Sequence, residues 1–392
     1  MTPQAKSRTV SEETPDMIIS GAGLSGLVTA WRCLSVNPDL VIAIYETSDR
    51  IAGDHIWSYN STDIAPKLRD WFAPFAAHRW PRYDVKFPQR ERTLDIEYCS
   101  GTSDTLFACI EPFITAGRLI VHLNSRAPKA ATIPQIDATG YSPRADEFPG
   151  WQKFVGHVIR TGKPHGVTHP VIMDATVEQI DGYRFVYLLP FSAYDLLVED
   201  TYFSDTPTLS ETEIGARINA YIQNKGWEDY KLIRREKGVL PMMMATDRDD
   251  DSARIGLGGG FAVAATGFTL PMAVELADII AQAIKDGGAN AAKPAIADFR
   301  RSHIEREAYA RRLNRMFFKA AEPLKRYIIL QRFYGLATGL IRRFYRNDLT
   351  LRDKARILIG KPPVPVSKAL ANFDEAAFIR RQRAQDAQKD TT

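Results

Sequence analysis

Met17-Ile-Ile-Ser-Gly-Ala-Gly-Leu-Ser-Gly26 decides the fold, because a short apolar run leads directly into a Gly-x-Gly-x-x-Gly turn. The run predicts a strand over 17–20, and the residues after the turn predict a helix over 24–34. The backbone N–H groups at the start of that helix, beginning with Leu24, attract phosphate groups. This strand–turn–helix unit predicts an α/β, Rossmann-like dinucleotide-binding fold. The alternative is a turn whose glycines serve only the backbone.

Each glycine of the turn has a physical task in a dinucleotide site. Gly21 permits the tight turn, Gly23 lets the backbone approach a pyrophosphate, and Gly26 lets the helix pack close to the strand. Glu46 ends the next apolar strand, predicted over 40–45. It lies about 20 residues beyond the glycines, where a carboxylate can hold ribose hydroxyls. The combination is more specific than the glycine pattern alone.

Later glycine-rich segments favour FAD over NAD, although each is also compatible with an ordinary turn. Asp49-Arg-Ile-Ala-Gly53 resembles the second glycine-rich segment of flavoproteins, and Ile136-Asp-Ala-Thr-Gly140 has their hydrophobic-Ala-Thr-Gly pattern. A strand predicted over 254–257 leads into three glycines and then into a helix that opens at Ala265-Thr-Gly-Phe-Thr-Leu-Pro271. The positive N-terminus of that helix suits the electron-rich end of a flavin ring. The candidate cofactor-binding residues in these segments are Arg50, Gly53, Ala138, Thr139, Gly140, Gly258, Gly259, Gly260, Thr266, Gly267 and Phe268.

Length and composition are those of a globular chain with more than one domain. With 392 residues, 45% of them hydrophobic and 25% charged, a single core is not expected. The three cysteines lack metal-ligand spacing and suit a reducing cytoplasm, so we predict no metal site. No run reaches the ~18 apolar residues that span a bilayer. The predicted divisions are a disordered tail (1–16), FAD-binding segments (17–80, 120–160 and 245–297), substrate-binding segments (81–119 and 161–244), a basic amphipathic helical segment (298–370) and a polar tail (371–392).

The segment from Asp298 to Lys361 is strongly basic. It carries 17 Lys and Arg against 6 Asp and Glu, a net charge of +11, whereas the whole chain carries +4. A basic amphipathic helix with aromatic side chains binds an anionic membrane surface, so we predict peripheral contact with the inner membrane. The alternatives are a helical subdomain with a solvated basic face and nucleic-acid binding, and no recognition motif supports the latter. The large apolar residues of the segment are Met316-Phe-Phe318, Tyr327-Ile-Ile-Leu330, Phe333-Tyr334, Leu340-Ile341 and Phe344-Tyr345.

Three strands predicted over 170–176, 183–190 and 195–203 form a candidate substrate-binding sheet, which we expect to be mainly antiparallel and inserted into the Rossmann-like FAD-binding fold. Their content of Phe, Tyr, Leu and Val suggests that one face lines an apolar cavity. The third strand contains adjacent acids, Glu199 and Asp200, which strand alternation places on opposite faces. A carboxyl group in an apolar pocket has a raised pKa and stays protonated at neutral pH, as a general acid requires. The alternative is that both acids are edge-strand charges or ion-pair partners.

These motifs together resemble the bacterial FAD-dependent lycopene β-cyclases. The likeness runs from about residue 16 to about residue 370. Its most diagnostic parts are Ile172-Met-Asp-Ala-Thr-Val177 and the Gly-Lys-Pro-Pro-Val-Pro-Val end of Lys354-Ala-Arg-Ile-Leu-Ile-Gly-Lys-Pro-Pro-Val-Pro-Val366. The other matching segments are Gly21-Ala-Gly-Leu-Ser-Gly26, His55-Ile-Trp-Ser58, Phe154-Val-Gly156, Pro164-His-Gly166, Asp181-Gly-Tyr-Arg-Phe-Val-Tyr187, Leu197-Val-Glu-Asp-Thr201 and Arg332-Phe-Tyr-Gly-Leu336.

The resemblance implies an isomerase of carotenoid biosynthesis that converts the ends of lycopene and other linear carotenoids to β-rings. An acid protonates the terminal double bond, and the family's acidic cluster carries that role to Glu199, with Asp200 as a candidate partner. The implied cofactor is FAD, active in its reduced form, with NADPH as reductant and no net redox change. The reduced, anionic flavin would stabilise the carbocation electrostatically. The alternatives are an FAD-dependent polyisoprenoid reductase or hydroxylase that consumes NAD(P)H, and a non-catalytic flavin- or carotenoid-binding protein.

Overall fold

The computed structural model describes residues 14–129, 132–359 and 364–389. Most of the predicted N-terminal tail, the last residues of the predicted C-terminal tail and residues 360–363 of the family-like stretch therefore lie outside the described residues. In chain order the strands are β1 (Met17–Ser20), β2 (Ile42–Tyr45), β3 (Ile56–Asn60), β4 (His78–Trp80), β5 (Tyr83–Phe87), β6 (Arg90–Leu94), β7 (Tyr98–Thr102), β8 (Leu119–His122), β9 (Gln135–Asp137), β10 (Glu147–Thr161), β11 (Val171–Asp174), β12 (Tyr183–Pro190), β13 (Asp195–Ser204) and β14 (Tyr230–Thr246). The α-helices are α1 (Leu24–Val36), α2 (Arg69–Phe72), α3 (Ser103–Thr115), α4 (Glu211–Asn224), α5 (Leu270–Gly287), α6 (Ala292–Arg315), α7 (Tyr327–Phe333), α8 (Thr338–Tyr345), α9 (Leu351–Leu358), α10 (Val366–Ala371) and α11 (Glu375–Lys389).

The first sheet contains the glycine turn. Its four strands are parallel and lie in the order β8-β2-β1-β9. The turn follows β1 and opens α1, as the sequence predicts. Apolar residues of β1, α1, α3 and α5 share one buried core, to which Cys33 contributes from α1. The predicted α/β, Rossmann-like part of the fold is therefore confirmed.

The second sheet contains the strands that were predicted to bind substrate. Its seven strands lie in the order β14-β10-β13-β12-β11-β5-β6 and pair antiparallel, except for the parallel pair of β5 with β11. The three strands of the sequence prediction correspond to β11, β12 and β13. A third, smaller sheet has the order β3-β7-β4. The predicted mainly antiparallel sheet is thus confirmed, together with helices in the C-terminal part.

Both faces of the seven-stranded sheet are covered, which explains why β12 and β13 are buried almost throughout. On one face, Val186, Val198 and Tyr202 pack with the apolar residues of α4. On the other face, Leu197 and Phe203 share a core with Phe317, Phe333 and other apolar residues of the C-terminal helices. Successive residues of β13 therefore enter two different environments.

Some segments pack elsewhere than the predicted domain ranges place them. Helix α3 lies in the range 81–119, yet Leu106 and Ile110 belong to the core of the four-stranded sheet. Strand β10 lies mostly in the range 120–160, yet it pairs with β13 and β14 of the seven-stranded sheet. The polar segment 371–392 includes α11, whose Phe378 is buried in the same core as the C-terminal helices. These packings depend on partners far away in sequence, which local patterns do not identify.

The basic segment is helical as predicted, but its largest apolar residues do not face outwards. Phe317, Phe318, Tyr334, Ile341 and Tyr345 are buried against the seven-stranded sheet. These five side chains therefore pack inside the protein and do not form a membrane-facing surface, while peripheral membrane contact of the segment stays a prediction. The reason is that an apolar helical stripe packs equally well on lipid or on a sheet, and here the sheet provides the partner.

Several basic residues of this segment are also internal. Arg315 donates hydrogen bonds to the carbonyl oxygen of Met244 over 2.6 Å and to that of Asn372 over 3.0 Å. Arg326 forms an ion pair of 2.8 Å with Asp205, and both arginine side chains are fully buried. Part of the net positive charge therefore joins helices to strands and is not available to an external partner.

Candidate active site

A cavity of about 760 Å³ extends from the glycine turn to the apolar face of the seven-stranded sheet. Gly23 of the glycine turn, Glu199 of β13 and Leu370 of α10 all line this cavity. The predicted dinucleotide turn and the predicted acid therefore share one cavity.

The three glycines of the turn differ in the space around them, in line with the roles that the sequence predicts. A Cβ atom on Gly21, whose φ is +99°, would lie 2.5 Å from the carbonyl oxygen of Ala138. A Cβ atom on Gly26 would lie 2.1 Å from the carbonyl oxygen of Gly21. By contrast, a Cβ atom on Gly23 would meet nothing within 4 Å, and Gly23 lines the cavity. The first and third glycines permit close packing, and the second leaves open space.

Two helices begin at the wall of the cavity with uncapped N-termini. Helix α1 starts after Gly23 and α5 starts after Thr269, and neither preceding residue makes a side-chain capping hydrogen bond. Leu24, Ser25 and Leu270 line the cavity at these two helix starts. Free N–H groups and the positive end of the helix dipole favour a negatively charged ligand at each place. This open glycine turn and these uncapped helix starts fit the pyrophosphate and ring system of FAD.

Glu46 lies beside the turn but outside the cavity lining. Its Oε2 accepts a hydrogen bond of 2.9 Å from the backbone N–H of Ala22, and its Oε1 accepts one of 2.9 Å from that of Ser48. Burial opposes ionisation, but these hydrogen bonds outweigh it and hold the pKa of Glu46 below its usual value. Glu46 therefore carries a negative charge that fixes the shape of the glycine turn.

The remaining predicted cofactor-binding residues fall into two groups. The residues that line the cavity are Ala138, Gly140, Thr266, Gly267 and Phe268. The residues outside the lining are Arg50, Gly53, Thr139, Gly258, Gly259 and Gly260. Arg50 forms an exposed ion pair with Asp104, and the N–H and hydroxyl groups of Thr139 donate hydrogen bonds to Asp137.

The prediction of a strand over 254–257 is wrong. Arg254 forms a single bridge with Asp137, after which Leu257–Gly259 is a 3₁₀ helix. Gly256 has a φ of +64°, which an extended strand does not allow. A Cβ atom on Gly258 would lie 2.1 Å from the carbonyl oxygen of Gly140, so this glycine serves close packing next to the cavity.

Glu199 is a buried acid in an apolar wall. Its Oε1 accepts a hydrogen bond of 2.6 Å from the hydroxyl group of Thr201, and in the described part of the chain no arginine or lysine forms an ion pair with it. Burial raises the pKa of Glu199 above its usual value, and the charge of Glu236 raises it further. Both effects favour the protonated form of this side chain.

Asp200 faces the opposite side of the sheet, as strand alternation predicts. Its carboxylate accepts hydrogen bonds of 2.8 Å and 3.0 Å from the guanidinium group of Arg184 and one of 2.8 Å from the hydroxyl group of Tyr202. It does not line the cavity. Its charge nevertheless contributes to the raised pKa of Glu199.

Glu236 is a residue that the sequence reasoning missed. It lies on β14, is buried, and lines the same cavity as Glu199. Its Oε2 accepts a hydrogen bond of 3.1 Å from the backbone N–H of Ile56, and burial raises its pKa. Strand alternation predicts that Glu236, Gly238, Leu240 and Met242 share one face of their strand, and all four line the cavity, but this local pattern does not predict that their face meets Glu199.

Aromatic side chains surround the two acids. Trp57, Tyr98, Phe185, Tyr187 and Phe203 line the cavity. The hydroxyl groups of Tyr98 and Tyr187 lie 3.0 Å apart and form a hydrogen bond, and burial raises the pKa of Tyr187, which keeps it neutral. Aromatic faces stabilise cations electrostatically, so this wall suits a transient positive charge.

Exposed apolar side chains lie at the part of the cavity that the C-terminal helices form. Leu358, Val366, Leu370 and Phe373 all line the cavity, and Leu370 is 68% exposed. We call these four residues the mouth patch. Within the described ranges, no helix has both the length and the apolar character required to cross a membrane.

Comparison with known proteins identifies the family. Two solved structures have a similar fold: a geranylgeranyl bacteriochlorophyll reductase-like protein of Thermoplasma acidophilum (TM-score 0.58, 12% identity, 92% of this chain and 99% of that chain) and the flavin-dependent brominase Bmp2 (TM-score 0.57, 13% identity, 96% and 99%). The lycopene beta-cyclase of Pantoea ananas is 37% identical over 370 residues, which cover 91% of this chain and 97% of that protein. Because the family model described as lycopene cyclase protein also matches residues 16–371, this chain belongs to the lycopene cyclase family.

Proposed function

We propose that this protein is a lycopene β-cyclase, which converts lycopene to γ-carotene and then to β-carotene by closing each linear end to a β-ring. The observation that carries the proposal is the position of Glu199, a buried acid with a raised pKa in an apolar, aromatic-lined cavity. Membership of the lycopene cyclase family and the 37% identity to a lycopene beta-cyclase support the same assignment.

Glu199 starts the reaction by protonating the terminal double bond of the substrate, which leaves a tertiary carbocation. The neighbouring double bond attacks that cation and closes the ring, and loss of a proton next to the new cation gives the β-ring double bond. General acid catalysis of this kind contributes about 10²- to 10⁴-fold to the rate. The apolar wall keeps water away from the cation, and the faces of Phe185 and Tyr187 offer it favourable electrostatics.

The cofactor of the proposal is FAD, and the fold of flavin-dependent neighbours supports it. Gly23, Leu24 and Ser25 would hold the pyrophosphate at the start of α1, and Thr266, Gly267 and Phe268 would contact the ring system near the start of α5. When bound in its reduced, anionic form, FAD supplies negative charge close to the cation. NADPH would be the reductant that keeps it reduced, without net oxidation of the substrate.

We place the protein at the cytoplasmic face of the inner membrane, as a peripheral protein that meets its carotenoid substrate there. The mouth patch supports this, because exposed apolar side chains line the same cavity as Glu199 and would contact lipid where the substrate enters. Exposed basic residues of α9 and α10, among them Arg356 and Lys368, would add attraction to anionic headgroups.

The function is tested anaerobically with the FAD-loaded protein, lycopene in anionic liposomes and a limiting amount of NADPH. The expected result is many β-ring products of unchanged mass for each NADPH oxidised, because cyclisation moves no electrons overall. One product of altered mass per NADPH would contradict the proposal and indicate a reductase or hydroxylase. Unchanged lycopene would indicate a binding protein.

Membrane contact is tested by liposome flotation of Val366→Asp/Leu370→Asp, which places two charges in the mouth patch. We expect loss of flotation on anionic liposomes, because charged residues oppose insertion into lipid. The matched control is Ile233→Asp, which changes an exposed apolar residue of β14 outside the cavity lining and is expected to float like the wild type. Equal flotation of all three proteins would contradict the mouth patch as the docking surface.

A further inference from the structure

We propose that Glu236 is a second catalytic carboxylate, which accepts the proton that the new ring loses and returns it to Glu199. This inference rests on the proposed cyclase function and adds a residue and a proton path to it. It rests on the positions of the two acids, which lie on the same face of the sheet, on the two strands β13 and β14 that flank β10.

Strand β10 lies between β13 and β14, and Gly156 of β10 is the position opposite both acids. Its Cα pairs with that of Glu199 on one side and with that of Glu236 on the other. Directly opposed residues of neighbouring strands point to the same face, and both acids line the cavity. A Cβ atom on Gly156 would lie 3.0 Å from Cγ and 3.2 Å from Oε1 of Glu236. The glycine therefore leaves the space that the side chain of Glu236 occupies, and the charge of Glu236 acts on Glu199 across this strand.

Each carboxyl group has one oxygen engaged by the protein and one left for the substrate side. Oε1 of Glu199 accepts from Thr201, and Oε2 of Glu236 accepts from the N–H group of Ile56. Among the described contacts, no hydrogen bond is recorded for Oε2 of Glu199 or Oε1 of Glu236. These two oxygens are the ones available for proton donation and proton acceptance.

A single proton shared by the pair provides an acid and a base together. Two carboxylates in a weakly polar site resist simultaneous ionisation, since each negative charge raises the pKa of the other. Burial raises the pKa of both groups, and the charge of Glu236 raises that of Glu199 further. The state with Glu199 protonated and Glu236 ionised is therefore the one that suits acid-initiated cyclisation.

The proton balance closes within the pair. The O–H bond of Glu199 breaks as a C–H bond forms on the terminal double bond, and ring closure then moves the cation within the substrate. A C–H bond beside that cation breaks, its electron pair forms the ring double bond, and Oε1 of Glu236 takes the proton. Transfer of this proton from Glu236 to Glu199 restores the starting state, so no proton, oxidant or reductant is consumed.

Other ionisable groups around the pair also affect the pKa values of its two carboxyl groups. Arg234, on the same strand as Glu236, forms an ion pair of 2.7 Å with Asp54, and its charge opposes the raised pKa of Glu236. The ionisable groups that line the cavity near the pair or act on its charge are Arg234 and Lys237 of β14, Asp54, His55, Tyr187 and, from the opposite face of β13, Asp200. Because these groups remain in a Glu236 variant, a change in the pH profile of that variant reports on Glu236 itself.

The test compares Glu236→Gln and Glu236→Asp with the wild type as FAD-loaded proteins in liposomes, by chromatography of the products and by the pH dependence of kcat. Glu236→Gln keeps an oxygen for the Ile56 N–H but cannot take a proton. We expect kcat to fall at least about tenfold, with part of the product carrying its ring double bond at another position. We also expect the decline of kcat at acid pH to disappear in Glu236→Gln and to persist in Glu236→Asp.

The wild-type profile provides a second measurement that needs no variant. It should be bell-shaped, since activity requires one proton on the pair and is lost when the pair holds two or none. A wild type that loses activity only on the alkaline side would overturn the inference, as would Glu236→Gln with unchanged kcat, products and profile. Failure of the wild type to form β-rings would instead overturn the proposed function, so the two failures are distinguishable.

Discussion

Glu199 and Asp200 are neighbours on β13, yet the two faces of the seven-stranded sheet give them opposite surroundings. On the cavity face, Glu199 has a hydroxyl group and a second acid near it, and its pKa is raised by burial and by the charge of Glu236. On the α4 face, Asp200 meets the guanidinium group of Arg184 in a buried ion pair. Burial raises the pKa of both acids, but only at Asp200 do the charge and hydrogen bonds of Arg184 oppose the shift, so the partner distinguishes the two carboxyl groups.

The two faces also differ in the hydrogen bonds that their polar groups make. On the α4 face, Arg217 of α4 also donates a hydrogen bond of 3.2 Å to the hydroxyl group of Tyr202, which itself donates to Asp200. On the cavity face, Oε2 of Glu199 has no hydrogen-bond donor among the described contacts, whereas Oε1 accepts from Thr201. One face joins its charged and polar groups to one another, and the other presents a carboxyl group to the cavity.

The largest expected effect comes from Glu199→Gln, which removes the acid from the cavity face and keeps its shape. We expect turnover of lycopene to fall about 10²- to 10⁴-fold, the range for loss of a general acid. FAD content and thermal stability should stay close to those of the wild type, and Thr201→Val serves as a control that changes only the hydrogen bond to Glu199. Unchanged turnover in a protein with full FAD content would remove Glu199 from the mechanism.

The matching change on the other face, Asp200→Asn, should affect stability and not chemistry. It leaves the charge of Arg184 buried without a counter-charge, which typically costs about 3–5 kcal/mol in the free energy of unfolding. Urea unfolding measures this loss, and the double variant Asp200→Leu/Arg184→Met should recover part of it. A stable Asp200→Asn protein that loses turnover as Glu199→Gln does would place Asp200 in the chemistry.

Local sequence patterns were sufficient to predict the features that depend on residues close together in the chain. The glycine turn, the limits of β12 and the opposite orientations of Glu199 and Asp200 all follow from spacings of a few residues along the chain. Each of these features is fixed by backbone sterics or by strand alternation, which operate within one element.

Features that depend on distant partners were not predictable in the same way. Glu236 becomes part of the site only because β10 brings Gly156 between β13 and β14, and this register is not encoded near Glu236. Arg326 shows the same limit, because a sequence cannot tell a buried arginine that pairs with Asp205 from one on a solvated basic face. Burial is a property of the assembled fold, and charge patterns report only composition.

The smallest expected effect is on the pH dependence of the free energy of unfolding, to which the raised pKa of Glu199 on the cavity face contributes. In an unfolded chain a glutamic acid titrates near about 4.3, whereas in the folded protein Glu199 keeps its proton to higher pH. Between these two values the folded state binds more protons than the unfolded state, so its stability is greatest at low pH and falls as pH rises. One group contributes at most about 1.4 kcal/mol per pH unit.

Urea unfolding of the wild type and of Glu199→Gln from about pH 5 to about pH 8 measures this contribution. Because glutamine does not titrate, the free energy of unfolding of the variant should rise relative to that of the wild type as pH increases. Glu211→Gln, which changes an exposed acid that pairs with Lys237, is the control and should run parallel to the wild type. Parallel curves for Glu199→Gln as well would mean that Glu199 is ionised in the folded protein, and the cavity face would then resemble the α4 face in holding a charged carboxylate.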